Sequence, residues 1–257
     1  MNPIIGGFSW IFTPAHWTTT ATGTGIGDAL VQHLILTGLS LLVTIVIAIP
    51  VGFAIGHTGK GRGVAIVSSN IARALPSLGI LGVLLLLLNG VHFIAPNYLP
   101  NIIVFALLGI PPLLAGAYAG LESVDRQTID AARAIGMTEW QILFRVEIPV
   151  GAALIVGGLR ATTLQIIATV TIASLYGQVS LGTFITSGLA EADYVQMSAG
   201  AILVAALALV VDGILALIQR FVVPRGVSRG TPKKRRITAG VGPLRPATTG
   251  TPIKEGN

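Results

Sequence analysis

Long apolar runs alternate with short polar breaks along this chain. Five runs have the length and apolarity of bilayer-spanning helices, which need about 20 residues each. They are Leu30–Ile55, Val64–Leu88, Leu99–Ala119, Val150–Leu175 and Ser198–Val222. Each is expected to be helical, because lipid cannot satisfy exposed backbone donors and acceptors. Pro50 and Pro76 are expected to kink theirs. A sixth apolar stretch, Gly177–Leu189, is too short and too rich in Gly, Ser and Thr to span. A hairpin or short re-entrant helix is expected there. Residues 1–29 hold Phe8, Trp10, Phe12 and Trp17 but no basic n-region and no sustained apolar core. They read as an extracytoplasmic or interfacial segment rather than a cleaved signal peptide.

Between the third and fourth runs lies one polar island, Gly120 to Pro149, which holds eight of the 26 formal charges. Asp125 to Ile135 has good helix formers, with its acids in the N-terminal half. Gly136 suits the left-handed position that ends a helix. Thr138 and Gln141 have capping-box spacing and open a second helix. Its expected apolar face is Trp140, Leu143 and Phe144, and Pro149 is expected to stop it and open the next span. The reading is two short helices hinged at Gly136.

Composition supports an integral membrane protein: 53% of residues are hydrophobic and 10% charged, with a mean hydropathy of +0.82. A typical soluble domain is about a quarter charged. Cysteine is absent, so disulfides and thiol chemistry are excluded. The net charge of +6 is concentrated in 223–257, where eight basic residues face one acid. That tail, with KKRR at 233–236, is expected to be disordered and to anchor topology or touch anionic lipid. It gives no ground for nucleic-acid binding.

Charge also orients the chain. Residues 1–59 contain no Lys or Arg, and the loop at 176–197 has only Glu191 and Asp193. Lys60, Arg62, the arginines of the polar island and the tail all fall on the other side. Five spans with the N-terminus outside and the C-terminus inside satisfy the positive-inside rule, and place 120–149 in the cytoplasm.

Three charges fall within apolar runs. Arg73, Arg160 and Asp212 lie nine, ten and ten residues from the inner ends of their runs, or about 14–15 Å at 1.5 Å per residue. At one depth Asp212 can pair with Arg160 or Arg73, locking helices or gating a pathway; snorkelling is the alternative. Ser77, Thr162, Thr163, Gln165, Thr169 and Thr171 are candidates for pathway lining, although Thr in a span also back-bonds to its helix. Gly56-His57-Thr58-Gly59-Lys60-Gly61 has the wrong spacing for a phosphate-binding loop. The four histidines lack paired ligand spacing, so no metal site is expected, and no nucleophile–base constellation is present.

The run Asp130-Ala131-Ala132, three residues, Gly136, nine residues, Val146-Glu147-Ile148-Pro149 resembles the EAA motif of ATP-binding-cassette (ABC) importer permeases, E-A-A, three residues, G, nine residues, I-x-L-P. Spacing matches throughout, and the three swaps keep charge or apolarity. The resemblance implies an all-α type I importer core of the methionine-permease kind in a bacterial inner membrane. Its coupling helices would dock on a separate ATPase. Ala131, Ala132 and Gly136 would be close-approach residues, Asp130 and Arg133 rim contacts, with the Ala132 side entering the partner. ATP and Mg would bind that partner, and no cofactor would bind this chain. Arg73–Gly79, Gly158–Thr163, Leu181–Leu189 and Ala199–Val204 resemble the osmoprotectant branch, for glycine betaine, proline, choline or carnitine. Gly177–Gly182 departs from that branch's G-A-G-G-L-G. A separate binding protein and a second permease copy, identical or similar, are implied. Two other readings stand: a permease for methionine or another small amino acid, and a self-contained secondary transporter or channel. The last needs an inverted repeat or midplane ion site, and the sequence shows neither.

Overall fold

A computed structural model describes residues 2–20, 23–74, 76–88 and 98–222, leaving out the side chains of 72 and 73. Its helices are α1 Pro3–Ile11, α2 Ile26–Thr58, α3 Arg62–Ala74, α4 Ser77–Leu87, α5 Tyr98–Glu122, α6 Arg126–Ala134, α7 Glu139–Ile142, α8 Ile148–Val170, α9 Gly182–Ala190 and α10 Tyr194–Val222. The basic tail lies outside the described residues.

Among the described residues, four continuous helical stretches are long and apolar enough to cross a membrane: Ile26–Thr58, Tyr98–Glu122, Glu139–Tyr176 and Tyr194–Phe221. The run expected to span at Val64–Leu88 is divided instead into α3 and α4. Pro76 becomes the N-cap of α4 in extended conformation, where its missing N–H costs nothing. Both halves pack on α5. Pro50 lies inside α2, and Pro111 and Pro112 inside α5, without ending either helix; helices in a bundle tolerate this.

α5 is the central helix, packed along α2 on one side and α8 on the other. Lipid is as apolar as leucine, so such helices associate through close packing rather than hydrophobic burial. Glycines make it possible here. A Cβ on Gly52 of α2 would lie 2.5 Å from the Ala117 Cβ, and one on Gly116 of α5 would lie 2.7 Å from the Gly158 Cα. Polar side chains add interhelical bonds: the Thr44 hydroxyl donates to Ser40 O at 2.7 Å and reaches Ala106 O at 3.3 Å. His33 Nε2 lies 3.1 Å from Ile167 O. Leu36, Leu81, Phe105, Ile166 and Val170 fill the interior between them.

α10 carries the remaining elements. α1 packs on its first half, where Gly7 meets Ser198 and Ala199. The short helix expected within Gly177–Leu189 is α9, entered after Gly177 turns the chain at φ +78°. Trp10 stacks on His16 at 3.9 Å and meets the Phe184 ring of α9 edge-on.

Candidate functional site

The polar island folds from local signals. Asp125 caps α6 by accepting from Gln127 N–H at 3.1 Å. Gly136, at φ +88°, closes the helix. Its N–H donates to Arg133 O at 2.9 Å and Met137 N–H donates to Ala132 O at 3.1 Å, the two bonds of a Schellman termination. Thr138 and Gln141 form the reciprocal capping box that opens α7.

Pro149 does not stop this second helix, contrary to expectation. Helical structure runs on from Glu139 to Tyr176, so α7 leads directly into α8. A π-helical stretch over Leu143–Glu147 shifts the register, and Ile148 N–H reaches back five residues to Leu143 O. Pro149 then falls in the first turn of α8, opening that span as expected.

The exposed face also differs from the sequence reading. Ala132 is buried, whereas Ala131 and Ala134 face outward and Ile135 is 80% exposed. Leu143 turns inward beside Ile142, leaving Trp140 and Phe144 exposed, their rings stacked at 6.0 Å. Trp140, Leu143 and Phe144 still line one apolar hollow together, as their spacing predicts. The outward apolar set is therefore Ile135, Trp140 and Phe144, with Ala131 beside it.

A chain of charged groups holds the loop. Arg133 grips Glu139 with Nε on Oε1 at 2.7 Å and Nη2 on Oε2 at 3.0 Å, strapping α6 to α7 across the Gly136 turn. That hydrogen bonding, with the nearby carboxylates, holds the guanidinium above its ordinary pKa. Asp130 accepts more distantly from Arg133 Nη1, at 3.4 Å. Glu139 Oε2 also lies 3.2 Å from His57 Nε2, and His57 Nδ1 lies 2.6 Å from Glu147 Oε2. Glu147 is almost wholly buried. Beside this chain an apolar cavity of about 600 Å³ opens between α2 and α7, lined by Pro50, Phe53, Ala54, Trp140, Leu143 and Phe144.

Higher in the bundle, Arg160 of α8 donates to both Asp212 oxygens of α10, at 2.7 and 2.9 Å from Nη2 and 3.0 Å from Nε. Its Nη1 donates to Gln219 Oε1 at 2.8 Å. The Arg73 side chain lies outside the described residues.

Residues 44–225 match the family described as the binding-protein-dependent transport system inner membrane component. The chain belongs to that family. It is 33% identical over 196 residues to the glycine betaine/carnitine/choline transport system permease protein OpuCB of Bacillus subtilis, covering 76% of this chain and 88% of that one. It is 29% identical to the osmoprotectant import permease protein OsmW of Salmonella typhimurium, covering 76% and 91%. The fold is similar to that of a chain in the MetNI methionine ABC transporter, a structure solved in inward-facing conformations, with a TM-score of 0.66 at 20% identity over 77% of this chain and 96% of that one.

This permease is thus the membrane component of an ABC importer, seated in the inner membrane. Its motif residues Asp130, Ala131, Arg133 and Gly136 share one exposed loop, whereas Val146, Ile148 and Pro149 are half-buried at the root of α8. Ser77 is half-buried at the start of α4. Thr162 and Thr163 do not line an open surface: both are buried, bonded to Gly109 O at 3.2 Å and Leu159 O at 2.8 Å. Thr169 and Thr171 back-bond to their own helix, and Gln165 alone of the α8 candidates is exposed. Sequence reading missed His57 and Glu147. The available signal was an acid, Glu147, inside the apolar run Val146–Pro149.

Proposed function

We propose that this permease imports an osmoprotectant of the glycine betaine, choline, carnitine or proline kind, driven by a separate ATPase docked on residues 120–149. The substrate class is supported by relatives named for glycine betaine, carnitine and choline. The observation that carries the docking is the strapped helix–Gly136–helix loop, with Ala131, Ile135, Trp140 and Phe144 outward and charges around them. Small and apolar residues at the centre of a charged rim suit insertion into a groove.

ATP and Mg bind the partner ATPase, and this chain hydrolyses nothing itself. Two permease copies, identical or similar, enclose the pathway. Closure of the ATPase dimer draws the two loops together and turns the bundles from inward-open to outward-open. A separate binding protein then delivers substrate from outside. Gln165 on the open face of α8 is the polar candidate for the pathway, and the Arg160–Asp212 pair locks α8 to α10 as they swing. Residues 1–29 lie at the outer interface, and the basic tail anchors topology or touches anionic lipid on the inner side.

Ala131→Arg tests the dock. Ala131 is exposed, so the substitution leaves folding intact while placing a long cation at the contact. Membrane insertion is expected to be unchanged, co-purification of the ATPase lost, and uptake of labelled glycine betaine and choline by proteoliposomes abolished. Normal uptake by the variant would refute the docking surface.

A further inference from the structure

The coupling loop meets the end of α2 at an imidazole. His57 stands in the last turn of α2, two residues before Gly59 turns the chain at φ +69°. The apolar cavity opens between α2 and α7. The His57 side chain spans that gap, its Nε2 3.2 Å from Glu139 of α7 and its Nδ1 2.6 Å from Glu147 at the root of α8. Both facing atoms are carboxyl oxygens, so each imidazole nitrogen has a polar partner across the gap. The Glu147 side chain is 3% exposed and that of His57 18%, so the inner half of the bridge is shielded from water. Glu139 is in turn held by Arg133 of α6.

We propose that His57 is a positioning residue of the transport cycle: it makes the end of α2 move as one body with the coupling loop. A push on α6 passes through Arg133 to Glu139, then through His57 into α2. The buried Glu147 keeps the imidazole at the α8 root, where α2 also packs on α8, so the loop, the end of α2 and the α8 root turn together. Charged hydrogen bonds suit this task because they fix direction as well as distance. α2 packs along most of α5, so the motion reaches the centre of the bundle. This inference rests on the docking reading above.

The experiment uses the whole permease, assembled with its ATPase and binding protein in proteoliposomes. The readout is substrate imported per ATP hydrolysed. His57→Ala is expected to keep the ATPase in the complex while that ratio falls at least about tenfold, the loss of charge-assisted hydrogen bonds. His57→Gln, whose amide retains two donors, recovers most of the ratio. The native chain has no cysteine, so His57→Cys with Glu139→Cys introduces a unique pair. A short bis-thiosulfonate cross-linker between them should raise the ratio of that variant towards the native value.

A native ratio in His57→Ala overturns the proposal. So does loss of the ATPase from that variant's complex, which would make the bridge a folding contact only. A complete cross-link that restores nothing also overturns it. Failure of the docking reading is seen separately, as normal uptake by Ala131→Arg.

Discussion

Arg160 and Asp212, 52 residues apart in sequence, form a bidentate ion pair between α8 and α10, with Nη2 at 2.7 Å from Oδ1 and 2.9 Å from Oδ2. Both side chains are about two-thirds buried. In a low-dielectric setting, removing one partner leaves an uncompensated charge and costs about 3 kcal/mol. Asp212→Leu and Arg160→Leu are each expected to lower the thermal unfolding temperature in detergent and to cut uptake. The exchange Arg160→Asp with Asp212→Arg should recover part of both. If the double variant behaves like the sum of its singles, the pair has no role beyond local packing.

Gly116 of α5 faces Gly158 of α8 so closely that an added Cβ would stand 2.7 Å from the Gly158 Cα. Gly116→Ala must push the two backbones apart along the central contact of the bundle. A destabilisation of about 1–3 kcal/mol is expected from such overpacking. Gly157, one residue from Gly158, has open space where its Cβ would sit. Gly157→Ala is therefore the matched control, expected to leave the unfolding temperature unchanged. Equal behaviour of the two alanine variants would disprove the close crossing.

Gly136 holds φ +88° with nothing near the position of a Cβ. The constraint is therefore conformational, not steric crowding. Asparagine enters the left-handed region with little penalty, whereas a β-branched residue does so at about 1–3 kcal/mol. Gly136→Asn is expected to retain most uptake and Gly136→Val to lose it. Amide hydrogen exchange over 126–142 should rise in the valine variant alone. Similar exchange in both would show that the turn tolerates other backbone conformations.

The loop also shows where reading the sequence stops. The Asp125 cap, the Gly136 termination and the Thr138–Gln141 capping box all act over four or five residues, and each appears where its residues indicate. Which face of the loop turns outward was not legible in the same way. Ala132 and Leu143 are covered by the rest of the fold. The break of the second run falls at Pro76, where a kink was expected, but that both halves pack on α5 is a matter of tertiary structure.

By itself the sequence determined the helical membrane class, the lengths of most spans, the polar loop and its twenty-residue motif. These rest on hydropathy and short-range hydrogen bonding, which any stretch of chain carries within itself. Tertiary structure decided the rest. His57 meets Glu147 across 90 residues, and Arg160 meets Asp212 rather than merely sharing its depth. Such pairings depend on how α2, α5, α8 and α10 rotate about their axes. That rotation is set by glycine contacts between helices, in a solvent too apolar to favour one face over another.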